Sequence, residues 1–124
     1  MRFKKYNNNP NGLKTCDCVV RALSNALNKS WLEVYNGLVE IGRLLKTMPN
    51  SDEVIYKYLE EYKMITPKVE KGKKRLTAEE FKEGVYILKQ ANHLTSIKDG
   101  FLMDIWDCRK RAVYRYWLIK GDEV

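Results

Sequence analysis

The hydrophobic spacing changes period near the middle of the chain, and that change constrains the fold more than any single motif. From Cys18 onward, Val19, Val20, Ala22, Leu23, Ala26 and Leu27 recur at helical spacing, which predicts a helix over Cys18–Leu27. Ser30 with Glu33 reads as a capping box. It opens a second helix whose apolar face carries Trp31, Val34, Tyr35, Leu38, Ile41, Leu44 and Leu45, and Met48-Pro49-Asn50 ends it. Ser51 and Asp52 are placed to cap a third helix through Val54, Ile55, Tyr58, Leu59 and Tyr62.

Beyond Tyr62 the period shortens. Met64 to Val69, interrupted by Pro67, suits an edge or irregular strand. Lys71 to Arg75 is a basic loop, and Thr77 with Glu80 caps only a short helical turn. Strands are expected over Gly84–Gln90, His93–Lys98, Phe101–Asp107 and Ala112–Ile119. Asp99-Gly100 between two of them is a hairpin signal, because a type I′ turn needs positive φ at both central residues. Helices first and then an antiparallel meander make an α+β domain. The expectation is one domain over residues 1–124, with N-terminal helices packed on a C-terminal antiparallel β-sheet.

At 124 residues, 44% hydrophobic and 31% charged, the chain can bury one core and does not read as disordered. Met1 to Asn9 holds no apolar leader core, and no run of about 18 apolar residues occurs, so neither a secretory signal nor a membrane span is expected. Three cysteines, an odd number, suit reduced thiols in a cytoplasm. The formal charge of +7 concentrates in Lys68–Arg75 and Arg109–Arg111. A solvated surface is the favoured reading of that excess; nucleic acid or an acidic protein partner is the alternative.

The chemistry centres on the only histidine, His93. Cys18 falls where a polar loop, Asn7 to Thr15, meets the first turn of an apolar helix. There a thiol faces unpaired N–H groups and the positive end of the helix dipole, and both favour a thiolate. Folding the hairpin about Asp99-Gly100 brings Asp104 onto the strand beside His93, where a carboxylate holds the tautomer and stabilises an imidazolium. Asp99 is needed by the turn, and Asp107 is odd-spaced from Asp104 and points to the other face. Trp106 shares the face of Asp104 and can shield the His–Asp bond from water. Cys16 stands two residues before Cys18, as a bystander or redox partner.

These segments resemble a known family. Asp17-Cys18-Val19-Val20-Arg21-Ala22 looks like the nucleophile segment of papain-like peptidases, and His93-Leu94-Thr95-Ser96-Ile97 followed by Asp104-Ile105-Trp106-Asp107 looks like their His strand and Asn/Asp-x-Trp strand. With Asn9-Pro10-x-Gly12 leading into Asp17-Cys18, the chain is similar to small papain-like cysteine peptidases often encoded by bacteriophages. The resemblance implies a papain-like fold, a Cys18 nucleophile, a His93 base, an Asp104 orienting residue, a peptide or protein substrate, no cofactor, and action in a host cytoplasm. Such enzymes carry a Gln upstream of the Cys as oxyanion donor. Here Gly12 stands six residues upstream of Cys18, so Asn9 or Asn11 would supply the amide beside the Cys18 N–H.

Two other classes compete. A Cys₃His zinc set from Cys16, Cys18, His93 and Cys108 lacks the second Cys-x₂₋₄-Cys knuckle that structural zinc sites use, so no metal is expected. The stronger rival is a non-catalytic basic binding module of the same fold, acting on a host protein or nucleic acid. Nucleic acid is the less favoured partner because aromatic residues are sparse within the basic clusters.

Overall fold

The computed structural model describes residues 1–124. Three helices come first after a short strand: α1 (Cys18–Leu27), α2 (Trp31–Leu45) and α3 (Asp52–Tyr58). The strands are β1 (Arg2–Lys5), β2 (Lys63–Ile65), β3 (Val85–Gln90), β4 (His93–Lys98), β5 (Phe101–Asp104) and β6 (Arg115–Lys120). They form one sheet in the order β1-β5-β4-β3-β6-β2. The protein is therefore α+β, with three helices on a six-stranded mixed sheet. No helix is long and apolar enough to cross a membrane.

The antiparallel meander needs two corrections. First, β1 lies parallel to β5, with Phe3 opposite Leu102, so the sheet is mixed. The N–H of Arg2 donates to the Gly100 carbonyl at 2.9 Å and that of Tyr6 to the Asp104 carbonyl at 2.8 Å, which fixes both ends of this pair. Three of the four β1 residues are basic, so no alternation betrays the strand; long-range pairing makes it. Second, β6 pairs with β3 rather than β5, crossing back over the hairpin.

Two strand bounds also shorten. The β5 strand stops at Asp104, where the carboxylate Oδ1 accepts the N–H of Ile105 at 2.7 Å and the chain bends away. Ala112 makes only an isolated bridge with Thr77, and β6 starts at Arg115. The edge strand β2 ends at Ile65, before Pro67, and α3 ends at Tyr58.

The Asp99-Gly100 turn takes φ values of 50° and 83°, as a type I′ turn requires. Ser30 caps α2 by accepting the Glu33 N–H at 3.0 Å. Thr77 and Glu80 form their reciprocal capping box over one 3₁₀ turn, Ala78–Glu80.

Both faces of the sheet are covered. Val85, Ile87, Leu94 and Trp117 pack against Leu23 and Ala26 of α1, Val34 and Leu38 of α2, and Val54 and Ile55 of α3. Tyr86, Leu88, Ile97, Leu102 and Tyr116 face the other way, under Ala78, Phe81, Cys108 and Val113 from two loops. This double burial explains why β3 reads Val-Tyr-Ile-Leu without a polar alternate. Each fully buried large apolar side chain contributes about 1.5–3 kcal/mol.

The strand directions gather six chain positions at one edge of the sheet. Lys5, Asp104, His93, Gln90, Arg115 and Ile65 all lie there, because the register pairs Gln90 with His93, Lys89 with Arg115 and Ile65 with Tyr116. The N-terminus of α1 carries Cys18 over the same region, near enough to His93 for the imidazole to lower its thiol pKa.

Candidate active site

The polar loop before α1 is held by its own asparagines. Asn7 donates to the Leu13 carbonyl at 3.0 Å. The Asn9 Oδ1 accepts the N–H groups of Asn11 at 2.9 Å and Leu13 at 3.3 Å, while its Nδ2 donates to Asp17 Oδ2 at 3.0 Å. This folds the loop onto Asp17 and delivers the chain into the helix.

Asp17 sits at the N-cap position of α1, yet its side chain makes no cap bond. It accepts instead from Asn9, from Trp31 Nε1 at 2.9 Å and from Arg21 Nε at 2.8 Å. The first backbone bond of the helix runs from the Arg21 N–H to the Asp17 carbonyl at 2.9 Å. The N–H groups of Cys18, Val19 and Val20 therefore lack an acceptor within the helix. Their partial positive charge faces the start of α1, where an anion is favoured.

His93 opens β4 and is 8% exposed; Asp104 closes β5 and is 2% exposed. The hairpin brings His93 Nε2 to 2.7 Å from Asp104 Oδ2. The second carboxylate oxygen, Oδ1, accepts from Arg21 Nη1 at 2.8 Å. Arg21 is itself 7% exposed, and it joins Asp17 to Asp104 across two elements. One buried carboxylate thus serves a permanent cation through one oxygen and the imidazole through the other.

Charge in so buried a place must be paired. Burial pushes the Asp104 carboxyl up, but its bonds with His93 and Arg21 outweigh burial and hold it down at about 2. The buried Thr95 hydroxyl also favours the charged carboxylate, although it lies beyond an ordinary hydrogen bond. Burial lowers the pKa of His93, but its hydrogen bond with Asp104, with the nearby Cys108 and Cys18 sulfurs, reverses this and raises it to about 11. For Cys18, burial raises the thiol. The nearby His93 ring and Leu94 backbone, with the charges of His93 and Arg21, bring it below its ordinary value. The opposite directions at Cys18 and His93 favour the charged form of each group in the presence of the other.

The structure brings Cys18, His93 and Asp104 together. Trp106 lies beyond the end of β5, 39% exposed, with its ring centroid 5.0 Å from that of His93. Its other neighbour is Arg111, whose guanidinium sits 5.7 Å from the Trp106 ring. Asn9 is buried and its amide is committed to Asp17, while Asn11 lies exposed on the turn. Neither side chain is hydrogen-bonded to Cys18 or His93. The N–H groups at the start of α1 are the oxyanion donors that the geometry leaves open. Asp107 pairs with Arg109 at 2.8 Å on the surface.

Cys16 is exposed and stands apart from Cys108, which is buried. His93, Asp104 and Cys108 have ligand atoms within 4.8 Å of one another. Cys108 Sγ approaches Asp104 Oδ2 at 3.8 Å, a weak donor to the same carboxylate oxygen that meets His93. Arg21 on that carboxylate repels an added cation, so this donor set suits a proton network better than a metal.

Two members of the site escaped sequence reasoning. Arg21 was given no role of its own; its spacing of four from Asp17 was the available signal. Cys108 was weighed only as a zinc ligand, because nothing local places it under the sheet beside Asp104. A comparison with protein-family models, with curated proteins and with solved structures finds no match to this chain.

Proposed function

We propose that the protein is a cysteine hydrolase, a peptidase or amidase of papain-like type, with Cys18 as nucleophile, His93 as general base and acid, and Asp104 as the orienting residue. The observation that carries this reading is the chain of contacts from Cys18 through His93 to Asp104, with His93 Nε2 at 2.7 Å from the carboxylate. It joins a helix start, a strand start and a strand end, and it lowers a thiol while raising an imidazole.

In the proposed reaction the Cys18 thiolate attacks a carbonyl carbon, and the carbonyl electron pair moves to oxygen. The open N–H groups at the start of α1 receive that oxyanion. His93 passes its proton to the leaving nitrogen as the C–N bond breaks, leaving a Cys18 thioester. Water then gives a proton to His93 and attacks the thioester, and the Cys18 thiolate leaves with the acid as product. Asp104 keeps the ring oriented, and Arg21 keeps Asp104 charged. Arg21 acts as a positioning residue because it touches only carboxylates.

The test is alkylation of Cys18 by iodoacetamide against pH, with mass spectrometry separating Cys18 from Cys16 and Cys108. The expected result is a reactive thiolate well below the usual thiol value of about 8.5, lost in His93→Ala. A Cys18 that reacts like an ordinary thiol and ignores His93 would sink the hydrolase reading.

A further inference from the structure

We infer that the sheet edge beside His93 carries a cationic subsite that seats acidic side chains of a polypeptide substrate. The inference rests on the hydrolase reading for the word substrate, and on separate observations for the subsite. A cavity of about 460 Å³ begins at Ala91 and Asn92, the turn residues immediately before His93. Its walls include Tyr56 of α3, Lys89 of β3, Arg115 of β6, and Arg75 and Tyr114 from loops.

The charges in this cavity do not balance. It holds three cations, Arg75, Lys89 and Arg115, against one carboxylate, Asp52. Asp52 is engaged by Lys89 at 3.0 Å. Neither Arg75 nor Arg115 forms an ion pair within the protein, whereas Arg21, Arg43 and Arg109 all do. The two arginines are instead held by aromatic rings. The Arg75 guanidinium lies 4.9 Å from the Tyr114 ring, and that of Arg115 lies 5.4 Å from the Tyr56 ring. Arg115 also donates to the Tyr56 hydroxyl. Stacking on a ring fixes the guanidinium plane and leaves its N–H edge for a carboxylate, which it meets with two parallel bonds.

Position decides between anionic polymers. The cavity lies on the edge that gathers the ends of β3 and β5 and the starts of β4 and β6, and its rim is continuous in sequence with His93. An extended peptide whose scissile bond lies at Cys18 can lay neighbouring side chains along this edge. A phosphate backbone would need a longer basic stripe, and the Lys68–Arg75 cluster already pairs Lys73 with Glu70 at 2.8 Å. Arg111, over the Trp106 ring that neighbours His93, is likewise without an acidic partner and adds positive charge near the site.

The experiment uses the full chain carrying Cys18→Ala, to prevent turnover, and fluorescence anisotropy of a fluorescein-labelled peptide of alternating Glu and Ala. A Lys/Ala peptide and a single-stranded oligonucleotide of equal charge are the comparators. The Glu/Ala peptide should bind, the Lys/Ala peptide should not, and Arg75→Glu should weaken binding at least tenfold. Arg75 lies exposed in a loop, so its reversal tests the subsite without touching the core. Arg115→Gln should weaken it several-fold, with thermal melting as the check on folding. Equal affinity before and after Arg75→Glu would overturn the subsite, and tighter, competing binding by the oligonucleotide would overturn its assignment to polypeptide. The alkylation profile of the wild type reads the hydrolase hypothesis independently. Slow, His93-independent alkylation with Arg75-dependent peptide binding would remove the enzyme and keep the subsite.

Discussion

The two faces of the sheet are built differently. The face under the helices is filled by Val85, Ile87, Leu94 and Trp117 against the apolar stripes of α1, α2 and α3. The opposite face is closed by two loops, through Ala78, Phe81, Cys108 and Val113. Gln90 fastens the second loop from within the sheet, donating to the carbonyls of Cys108 at 3.0 Å and Arg111 at 3.4 Å. Aromatic edges do much of the remaining packing there, with Phe81 ring centroids 5.0 Å from both Tyr86 and Tyr116. Period-driven packing makes the first face, and long-range loop closure makes the second. The candidate active site uses both: the helix layer brings Cys18 and Arg21, and the sheet edge brings His93 and Asp104. At such a seam, Cys18 and His93 come from parts of the chain that fold by different means.

The largest expected effect breaks the seam outright. His93→Ala should lower amide turnover by about 10³-fold or more, as loss of a base does in a cooperative nucleophile–base pair. Single-turnover kinetics on an acidic peptide would read this.

Next in size is Arg21→Met. Removing the shared cation leaves buried Asp17 with neutral donors only and Asp104 with His93 alone, and should cost about 3–5 kcal/mol in urea unfolding. The same change should raise the pH at which Cys18 alkylation develops, because Asp104 loses the cation that holds its charge. Arg21→Lys should recover part of the stability without restoring both bonds, since Lys cannot reach two carboxylates as a fork.

Ile87 and Leu88 are neighbours on opposite faces, so truncating each sharpens the contrast. Either change to Ala should cost about 2–5 kcal/mol. Only Leu88→Ala should also shift the pH profile of Cys18 alkylation, because its face holds Thr95, Asp104 and Cys108. An equal shift from Ile87→Ala would show that the two faces are not separate in their effect on the site.

The smallest effect is the pH dependence of stability. Asp104 is depressed to about 2, so its contribution is present above the unfolded value of about 3.9 and is lost as pH falls toward 2. His93 is raised to about 11, so its contribution is complete below about 6.5 and fades as pH rises toward 11. Urea midpoints measured from pH 2 to 11 should therefore fall at both ends. In His93→Gln the alkaline fall should flatten, while the acid fall persists because Arg21 still pairs with Asp104.

Much of the framework could be read without coordinates. The helical spacing after Cys18, the Ser30 cap, the β-rich segments and the Asp99-Gly100 turn depend on neighbours within a few residues, where local energetics decide. The nearness of His93 to Asp104 followed from that turn, since a two-residue hairpin sets register. Trp106 beside His93 was expected on the grounds of a continuing strand, whereas the chain has already bent at Ile105 when it delivers the ring.

By itself the sequence determined the α+β class, the start of α1 at Cys18, the β4–β5 hairpin and the pairing of its histidine with a carboxylate. Each rests on short-range periodicity or turn chemistry. Only the tertiary structure decided that β1 runs parallel to β5, that β6 crosses back to β3, that Asn9 holds Asp17, that Arg21 spans two buried carboxylates and that Cys108 lies beneath them. Those contacts join residues far apart along the chain. Their geometry is set by which surfaces remain to be covered once the local elements have formed, and no local pattern encodes that remainder.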